Sequence, residues 1–453
     1  MKRNDPMVLP KPITEIITAL ESAGYASYVV GGCVRDACLG LTPQDYDLCT
    51  SALPEQTESV FRDRRLVLAG KKHGTVGVVT ETGVVEITTF RTEGSYRDNR
   101  HPDWVKFVPD VESDLARRDF TVNAMAYSPT RGYVDPFGGR EDLHNGILRA
   151  VGDPETRFRE DSLRILRGVR FAVRYGLQVD PATEKAMFSQ ASLMDNLARE
   201  RVFEELCKLL PLVTAEDLIR FAPILAAVIP ELAPMIGFDQ RSPHHAYDLY
   251  THTAWVVDGT PEDLTMRWAA LLHDVGKVPT FTLDEKGRGH FLNHAVKGAE
   301  MADAILRRLK APNALREQVV LLIEKHMLWL EPEKKQLRRQ IGRLGLGTVY
   351  QLLSLQQADN GSKGTEKSGE NETYLRILEV LEEIRSEDGC LSLKDLSVNG
   401  YDLMEIGFTG RAIGRMLNWL LEQVMEETLP NERSLLLDWA ERVWKDAHGT
   451  VSD

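Results

Sequence analysis

The hydrophobic period of this chain changes once along its length, and that change restricts its fold more than any single residue does. Before Asp135-Pro136-Phe137-Gly138-Gly139 the apolar runs are short and end at turn residues. Tyr28-Val29-Val30 stops at Gly31-Gly32, and the runs Gly74 to Thr80 and Val84 to Phe90 flank the turn Glu81-Thr82-Gly83. Such runs read as strands, and Asp45-Tyr46-Asp47-Leu48-Cys49 alternates polar and apolar as a half-buried strand does. An amphipathic helix over 12–23, closed by Gly24, stands in front of them. From about Glu160 onward the apolar residues recur at helical spacing, over 160–175, 182–194, 199–213 and 215–228. The pattern predicts an α+β chain, an α/β head followed by a long all-α region. Two breaks interrupt the helical part: the Pro- and Gly-rich Pro230 to Pro243, and the polar stretch Asp359 to Gly369. Beyond them, Arg411 to Thr428 carries Ile413, Met416, Leu417, Leu420, Leu421 and Val424 on one helical side.

Composition removes several classes. With 43% hydrophobic and 27% charged residues, the 453-residue chain is neither disordered nor collagen-like. No apolar stretch approaches the ~20 residues of a membrane span, and neither a membrane partner nor a secretory signal is expected. The five cysteines, Cys33, Cys38, Cys49, Cys207 and Cys390, are scattered without a C-x-x-C, which suits a reducing cytoplasm. The net charge of −13 argues against a nucleic-acid partner, yet a global sum leaves room for a local basic surface. The run from Lys334 to Arg343 is the clearest such surface, with a solvated helix face as the equally weighted alternative.

Two groups of residues carry chemistry. Gly31-Gly32-Cys33-Val34-Arg35-Asp36 follows a strand and opens a helix. Glycines let backbone N–H groups approach a phosphate, a helix N-terminus adds partial positive charge, and Arg35 lies one turn in. Alone, such a turn reads more simply as a tight bend. Asp45 and Asp47 alter that balance, because residues i and i+2 of a strand share a face and adjacent carboxylates repel unless a cation lies between them. Mg²⁺ suits the pair, since it takes oxygen ligands alongside substrate phosphates. In the helical region, His252, His273-Asp274, His294, His326 and Asp359 offer imidazole and carboxylate ligands to a first-row metal. Any one of these histidines alone would be a packed helix residue.

The glycine turn and paired aspartates together resemble the active-site signature of the nucleotidyltransferase superfamily that includes DNA polymerase β. Phe90 to Pro102, Arg117-Arg118-Asp119-Phe120-Thr121-Val122-Asn123-Ala124 and Glu160-Asp161-Ser162-Leu163-Arg164 follow in the right order. The chain resembles bacterial class II tRNA nucleotidyltransferases, the family of CCA-adding enzymes and bacterial poly(A) polymerases. Leu271-Leu272-His273-Asp274-Val275-Gly276-Lys277 resembles the HD phosphohydrolase superfamily. These likenesses imply a catalytic, polymerase β-like head at 1–145, a base-recognising and RNA-binding neck at 146–238, an HD domain at 239–362 and a tRNA-binding body and tail at 363–453.

The first likeness implies Asp45 and Asp47 as catalytic Mg²⁺ ligands; Glu86, in Val85-Glu86-Ile87-Thr88-Thr89, could extend a third carboxylate from the adjacent strand. It implies nucleotide contacts from Gly32, Arg35, Arg118, Asp119, Asp161, Arg164, Arg167 and Arg170. Asp161 and Arg164, expected three apart on one helix, would act as an amino-acid template. Cytosine and adenine both present an amino donor beside a ring acceptor, which suits a carboxylate and a guanidinium, whereas uracil and guanine reverse the pattern. Without the family pattern, the pair would be a surface salt bridge worth ~0.2–0.5 kcal/mol. The polar segment Arg91 to Phe107 resembles the loop used in switching from C to A addition. The second likeness implies His252, His273, Asp274 and Asp359 as metal ligands, with His294 and His326 at the positions of a second metal and a metal-bound water as nucleophile. His244, His245 and His290 read as solvated neighbours, and Trp255 and Trp268 as core.

The expected function is therefore a cytoplasmic CCA tRNA nucleotidyltransferase acting on tRNA with CTP and ATP. The tRNA 3′-hydroxyl attacks the nucleotide α-phosphorus with two-metal assistance and no covalent enzyme intermediate, and the HD domain adds phosphohydrolase activity. The alternatives are A-only addition, poly(A) polymerase, an HD phosphohydrolase with an inert head, and an RNA-folding factor. The acidic C-terminus from Leu435 onward ranks poly(A) polymerase lower, and intact Asp45, Asp47, Asp161 and Arg164 argue against an inert head.

Overall fold

A seven-stranded sheet organises the N-terminal part of the computed structural model. Its strands are β1 (Ser27–Val30), β2 (Leu48–Thr50), β3 (Leu66–Val67), β4 (Thr75–Thr80), β5 (Gly83–Thr89), β8 (Ala126–Ser128) and β9 (Gly132–Val134). A separate hairpin pairs β6 (Arg91–Glu93) with β7 (Val105–Phe107). The sheet order is β3-β4-β5-β2-β1-β8-β9, and every neighbouring pair is antiparallel except β2 and β5. All four residues of β1 are buried, so both of its faces are covered. The helix Lys11–Ser22 buries Ile13, Ile16, Ile17 and Leu20, which recur at i, i+3, i+4 and i+7. Residues 6–93, 105–242, 246–364, 371–387, 392–426 and 428–448 are described by the structure. Most of the Arg91 to Phe107 segment, His244, His245, Cys390, residues 365–369 of the polar stretch and the last residues of the acidic C-terminus lie outside them.

The chain folds as two units, Met1–Val213 with Arg220–Ala233, and Thr214–Ile219 with Pro234–Asp453. In the second unit, helices Leu249–Gly259, Leu264–Leu272, His294–Arg308, Asn313–Lys325 and Leu346–Gly361 carry the histidines and aspartates singled out above or pack beside them. Trp268 is buried there, as expected of core, and Trp255 is half-buried. Farther on, helix Lys334–Leu344 and helix Arg411–Met425 share a core that includes Leu337, Ile341, Met416, Leu420 and Leu421. No helix among the described residues is long and apolar enough to cross a membrane.

Several expected elements are corrected. β2 begins at Leu48, so Asp45 and Asp47 lie on its extended approach; β1 ends at Val30, whose N–H donates to the Asp47 carbonyl at 2.9 Å, and the ladder has no partner upstream. The helix expected over 160–175 is two helices, Pro154–Glu160 and Leu163–Tyr175, with Asp161 extended between them (φ −146°, ψ 102°). The segment 215–228 also divides, at Phe221, because Pro223 starts a new helix more readily than it continues one. Asp359 belongs to the end of helix Leu346–Gly361 rather than to a flexible stretch, since the buried face of Leu352, Leu355 and Ala358 continues to that point. The strand pairs Ile147–Leu148 with Gln178–Val179, and Phe281–Leu283 with Gly289–Phe291, are too short to show a period in the sequence.

Helix Leu163–Tyr175 approaches Phe120 closely at Gly168, where a Cβ would lie 2.9 Å from the Phe120 ring and 3.2 Å from Met187. Gly168→Val is expected to destabilise the first unit by about 1–3 kcal/mol through overpacking, read as a lower denaturant midpoint at an unchanged slope.

Candidate active site

The turn after β1 is built around a backbone that only glycine adopts easily. Gly31 has φ 78°, and a Cβ there would sit 2.8 Å from Arg118 Nη1. Its N–H donates to the Met125 carbonyl, which ties the turn to the residue before β8. Arg35, at one turn into the helix, is shielded from solvent. It is buried, donating through Nε and Nη2 to Asp36 at 2.9 and 2.8 Å and through Nη1 to Asn123 at 2.5 Å. Its guanidinium lies over the Tyr175 ring, 4.4 Å from the centroid, and beside Gly32. In this state Arg35 braces the glycine turn.

Asp45 and Asp47 are both exposed, two residues apart on extended chain beside that turn. Enclosure by surrounding protein raises the Asp47 carboxyl above the usual range; Arg118 opposes this and the charge of Asp45 adds to it. A carboxylate that enclosure and a neighbouring carboxylate both make hard to ionise is one that a divalent cation relieves, so the donor set fits such an ion. Burial and the charge of Asp47 push the neighbouring Cys33 thiol up to about 11, which leaves it an inert filler. Leu48 pairs with Ile87, so Glu86 is level with Asp47 on the adjacent strand, and it is exposed where Val85 and Ile87 are buried.

The tripeptide Arg117-Arg118-Asp119 joins this turn to helix Leu163–Tyr175. Arg118 lies against Gly31 and 3.5 Å from Asp114, which also meets Arg117 at 3.0 Å. The Arg117 carbonyl accepts from Arg164 Nη2 at 2.9 Å. Asp119 accepts from Arg167 Nε and Nη2 at 2.9 and 2.7 Å, and from Asn123 at 3.1 Å. Burial works to raise the Asp119 carboxyl, but Arg167, Asn123 and Arg164 hold it at about 2.

Asp161 and Arg164 are both buried, and neither the single-helix placement nor the solvated salt bridge survives. Arg164 Nη1 donates to Glu160 at 2.8 Å and to the Arg157 carbonyl at 3.1 Å. Asp161 is gripped by Arg201 at 2.9 Å. Arg170 is buried in an ion pair with Glu205 at 2.7 Å. Sequence reading missed Arg201, Glu205, Asn123 and Asp114. Arg201 and Glu205 stand at i, i+4 on the expected helix over 199–213, a spacing that reads as a surface pair until the chain is folded.

The second unit gathers all six metal-ligand candidates. The Nδ1 atoms of His252, His273, His294 and His326 meet the backbone carbonyls of Ser362, Ala270, Phe291 and Ile323 at 3.2, 2.7, 2.8 and 2.6 Å. A carbonyl only accepts, so each Nδ1 carries the proton and each Nε2 presents a lone pair. Those lone pairs face carboxylates. His252 Nε2 is 3.0 Å from Asp359 Oδ1, His273 Nε2 is 3.1 Å from Asp274 Oδ2, and His294 Nε2 is 3.7 Å from Asp274 Oδ1. The Nε2 atoms of His294 and His326 are 3.3 Å apart. His273 Nε2 and Asp359 Oδ1 are buried without a hydrogen-bond donor or acceptor that satisfies them. Acceptors converging on acceptors fit a cation, and the triads His252-His273-Asp274 and Asp274-His294-His326 have the spacing to hold one. Burial lowers His326 to about 4, which keeps its imidazole neutral. Lys277 Nζ also touches Asp274 Oδ2, at 2.7 Å. His290 is exposed on a strand and pairs with Asp284 at 3.2 Å.

Comparison with known proteins bears on both units. Three family models match: "Poly A polymerase head domain" over residues 27–149, "Probable RNA and SrmB- binding site of polymerase A" over 176–236, and "tRNA nucleotidyltransferase domain 2 putative" over 290–440. The CCA-adding enzyme of Bacillus velezensis is 30% identical over 426 residues, covering 94% of this chain and 96% of the relative. That of Lactiplantibacillus plantarum is 32% identical over 445 residues, covering 96% and 95%. The crystal structure of the Bacillus stearothermophilus CCA-adding enzyme in complex with CTP aligns with a TM-score of 0.67 at 28% identity, over 98% of this chain and all of that one.

The depressed Asp119 carboxyl gives a pH test. A group lowered from an ordinary 3.8 to about 2 contributes stability that is present above 3.8 and lost as pH falls through about 2, some ~2 kcal/mol in all. Asp119→Asn is expected to lower the unfolding free energy at pH 7 by about that amount or more. The gap between variant and wild type should narrow between pH 5 and pH 2 in denaturant titrations.

Proposed function

The chain belongs to the family of bacterial CCA-adding enzymes, and we propose that it completes tRNA 3′ ends by adding C, C and A from CTP and ATP without a nucleic-acid template. The observation that carries this reading is the joining of the Gly31 turn to helix Leu163–Tyr175, which carries Arg164 and starts just after Asp161, through Arg117-Arg118-Asp119. The family depends on divalent metal, and Asp45 and Asp47 would hold it as Mg²⁺. When bound, such ions lower the pKa of the tRNA 3′-hydroxyl and offset charge on the departing pyrophosphate. The protein's own part is to place the reactants. Backbone N–H groups after Gly31, whose own N–H is held by Met125, would face the triphosphate with Arg118 beside them, and Asp47 would face the 3′ end. Asp161 accepts from the amino group of C or A while Arg164 donates to the ring acceptor. A site built to hydrogen-bond one pattern rejects the reversed one by ~10⁴–10⁵-fold, because buried groups are left unpaired.

Contact with the tRNA body falls, in this reading, on helix Lys334–Leu344. Arg338, Arg339 and Arg343 line a groove there with Arg415 and Trp419. Glutamates partly neutralise the run: Glu387 meets Lys334 and Arg338 at 2.5 and 2.8 Å, and Glu422 meets Arg343 at 3.5 Å. The interaction is therefore weaker than the count of cations suggests, which suits transient binding in the cytoplasm.

A second activity is favoured by the convergence of lone pairs in the second unit. His252, His273, Asp274 and Asp359, with His294 and His326, would hold one or two transition-metal ions in an HD-type site that hydrolyses phosphate esters.

Labelled CTP and ATP supplied to tRNA lacking its terminus, ending in C, and ending in CC should each yield the completed end; growth only from CC, or a long A tract, would refute the assignment. Asp45→Ala should abolish transfer while leaving tRNA affinity nearly intact. His273→Ala should spare nucleotide addition and remove metal-dependent phosphoesterase activity, and loss of both would show that the two sites are not independent.

A further inference from the structure

Asp161 stands on extended backbone between helices Pro154–Glu160 and Leu163–Tyr175, so no helical lattice aims its carboxylate. Its hydrogen bonds do. Oδ1 accepts the Leu163 N–H at 3.1 Å, and Oδ2 accepts Arg201 Nη2 at 2.9 Å. Nη1 of the same guanidinium lies 3.5 Å from Oδ1, so both prongs face the carboxylate. A carboxylate offers about four lone-pair positions, and acceptor capacity remains after these bonds. Arg201 comes from helix Arg199–Leu209, whose Glu205, four residues on, holds Arg170 at 2.7 Å. Residues i and i+4 share a helix face. That face therefore presents a cation to Asp161 and an anion to Arg170, complementary in sign to the residues it braces.

We propose that Arg201 is a specificity-positioning residue for nucleotide addition: its forked grip fixes the plane of the Asp161 carboxylate so that a remaining lone pair meets the amino group of cytosine or adenine. The inference rests on the reading of Asp161 and Arg164 as the base-recognising pair. A lysine at this position keeps the charge but attaches at one point instead of through a planar fork, so it leaves the carboxylate free to turn.

The test measures kcat and KM for CTP and for UTP, and KM for tRNA lacking its terminus, with the full-length wild type, Arg201→Lys, Arg201→Met, Asp161→Ala and the double variant Arg201→Met/Asp161→Ala. Arg201→Met is expected to lower kcat for CTP ~10- to 100-fold, the usual effect of a small misplacement, with the KM for tRNA unchanged. Its preference for CTP over UTP should fall about tenfold or more. Arg201→Lys should recover part of kcat without recovering the preference. Adding Arg201→Met to Asp161→Ala should cost no further preference, because Arg201 acts through Asp161. Wild-type preference in both Arg201 variants, with preference lost in Asp161→Ala, overturns the positioning role and leaves base reading intact. Preference retained in Asp161→Ala removes the base-reading assignment and this inference with it. Should Arg201→Met fail to fold, Arg201→Lys decides alone: reduced preference supports the role, and wild-type preference refutes it.

Discussion

A single buried carboxylate holds the first unit's chemistry together. Asp119 receives two bonds from Arg167 and one from Asn123, and Asn123 in turn receives the Arg35 guanidinium that underlies the glycine turn. Breaking such a pair leaves an uncompensated charge in a place water does not reach, which is why buried ion pairs cost far more to disrupt than they contribute when intact. Asp119 therefore fixes the distance between the glycine turn and helix Leu163–Tyr175 by registering one element against the other.

The division of labour between sheet and helices follows from this. Antiparallel pairing brings β1 between β2 and β8, and the turn after β1 inherits its position from both. Helix Leu163–Tyr175 is registered against the Arg117–Asp119 segment, because Arg164 is tied to the Arg117 carbonyl and Arg167 to Asp119. Arginines that look like a cationic stripe in one dimension are, in three, individually committed to different acids.

Much of this was legible in the sequence. The hydrophobic period gave the α+β order, β1, β4 and β5, and the helix from Arg411. The residue types at Gly31-Gly32 and the histidine positions marked a tight turn and a cluster that the fold does bring about, because local turn preference and donor type are properties of short segments. The break at Asp161 was not legible: its flanking residues keep a helical period, and the interruption is held by a local bond from Leu163 and a tertiary one from Arg201. Asp359 was placed in a loop by the polar residues after it, although the packed face before it carries the helix through. Arg201 and Glu205 have no one-dimensional signal that separates a brace from a solvated pair.

In the second unit, three of the four imidazoles donate to the carbonyl three residues earlier in their own chain: His273 to Ala270, His294 to Phe291 and His326 to Ile323. Ring orientation is thus set within each helix end, before the helices meet. Assembly of the cluster then freezes few additional torsions, so any ion it took up would be spared most of the entropic penalty of ordering these side chains.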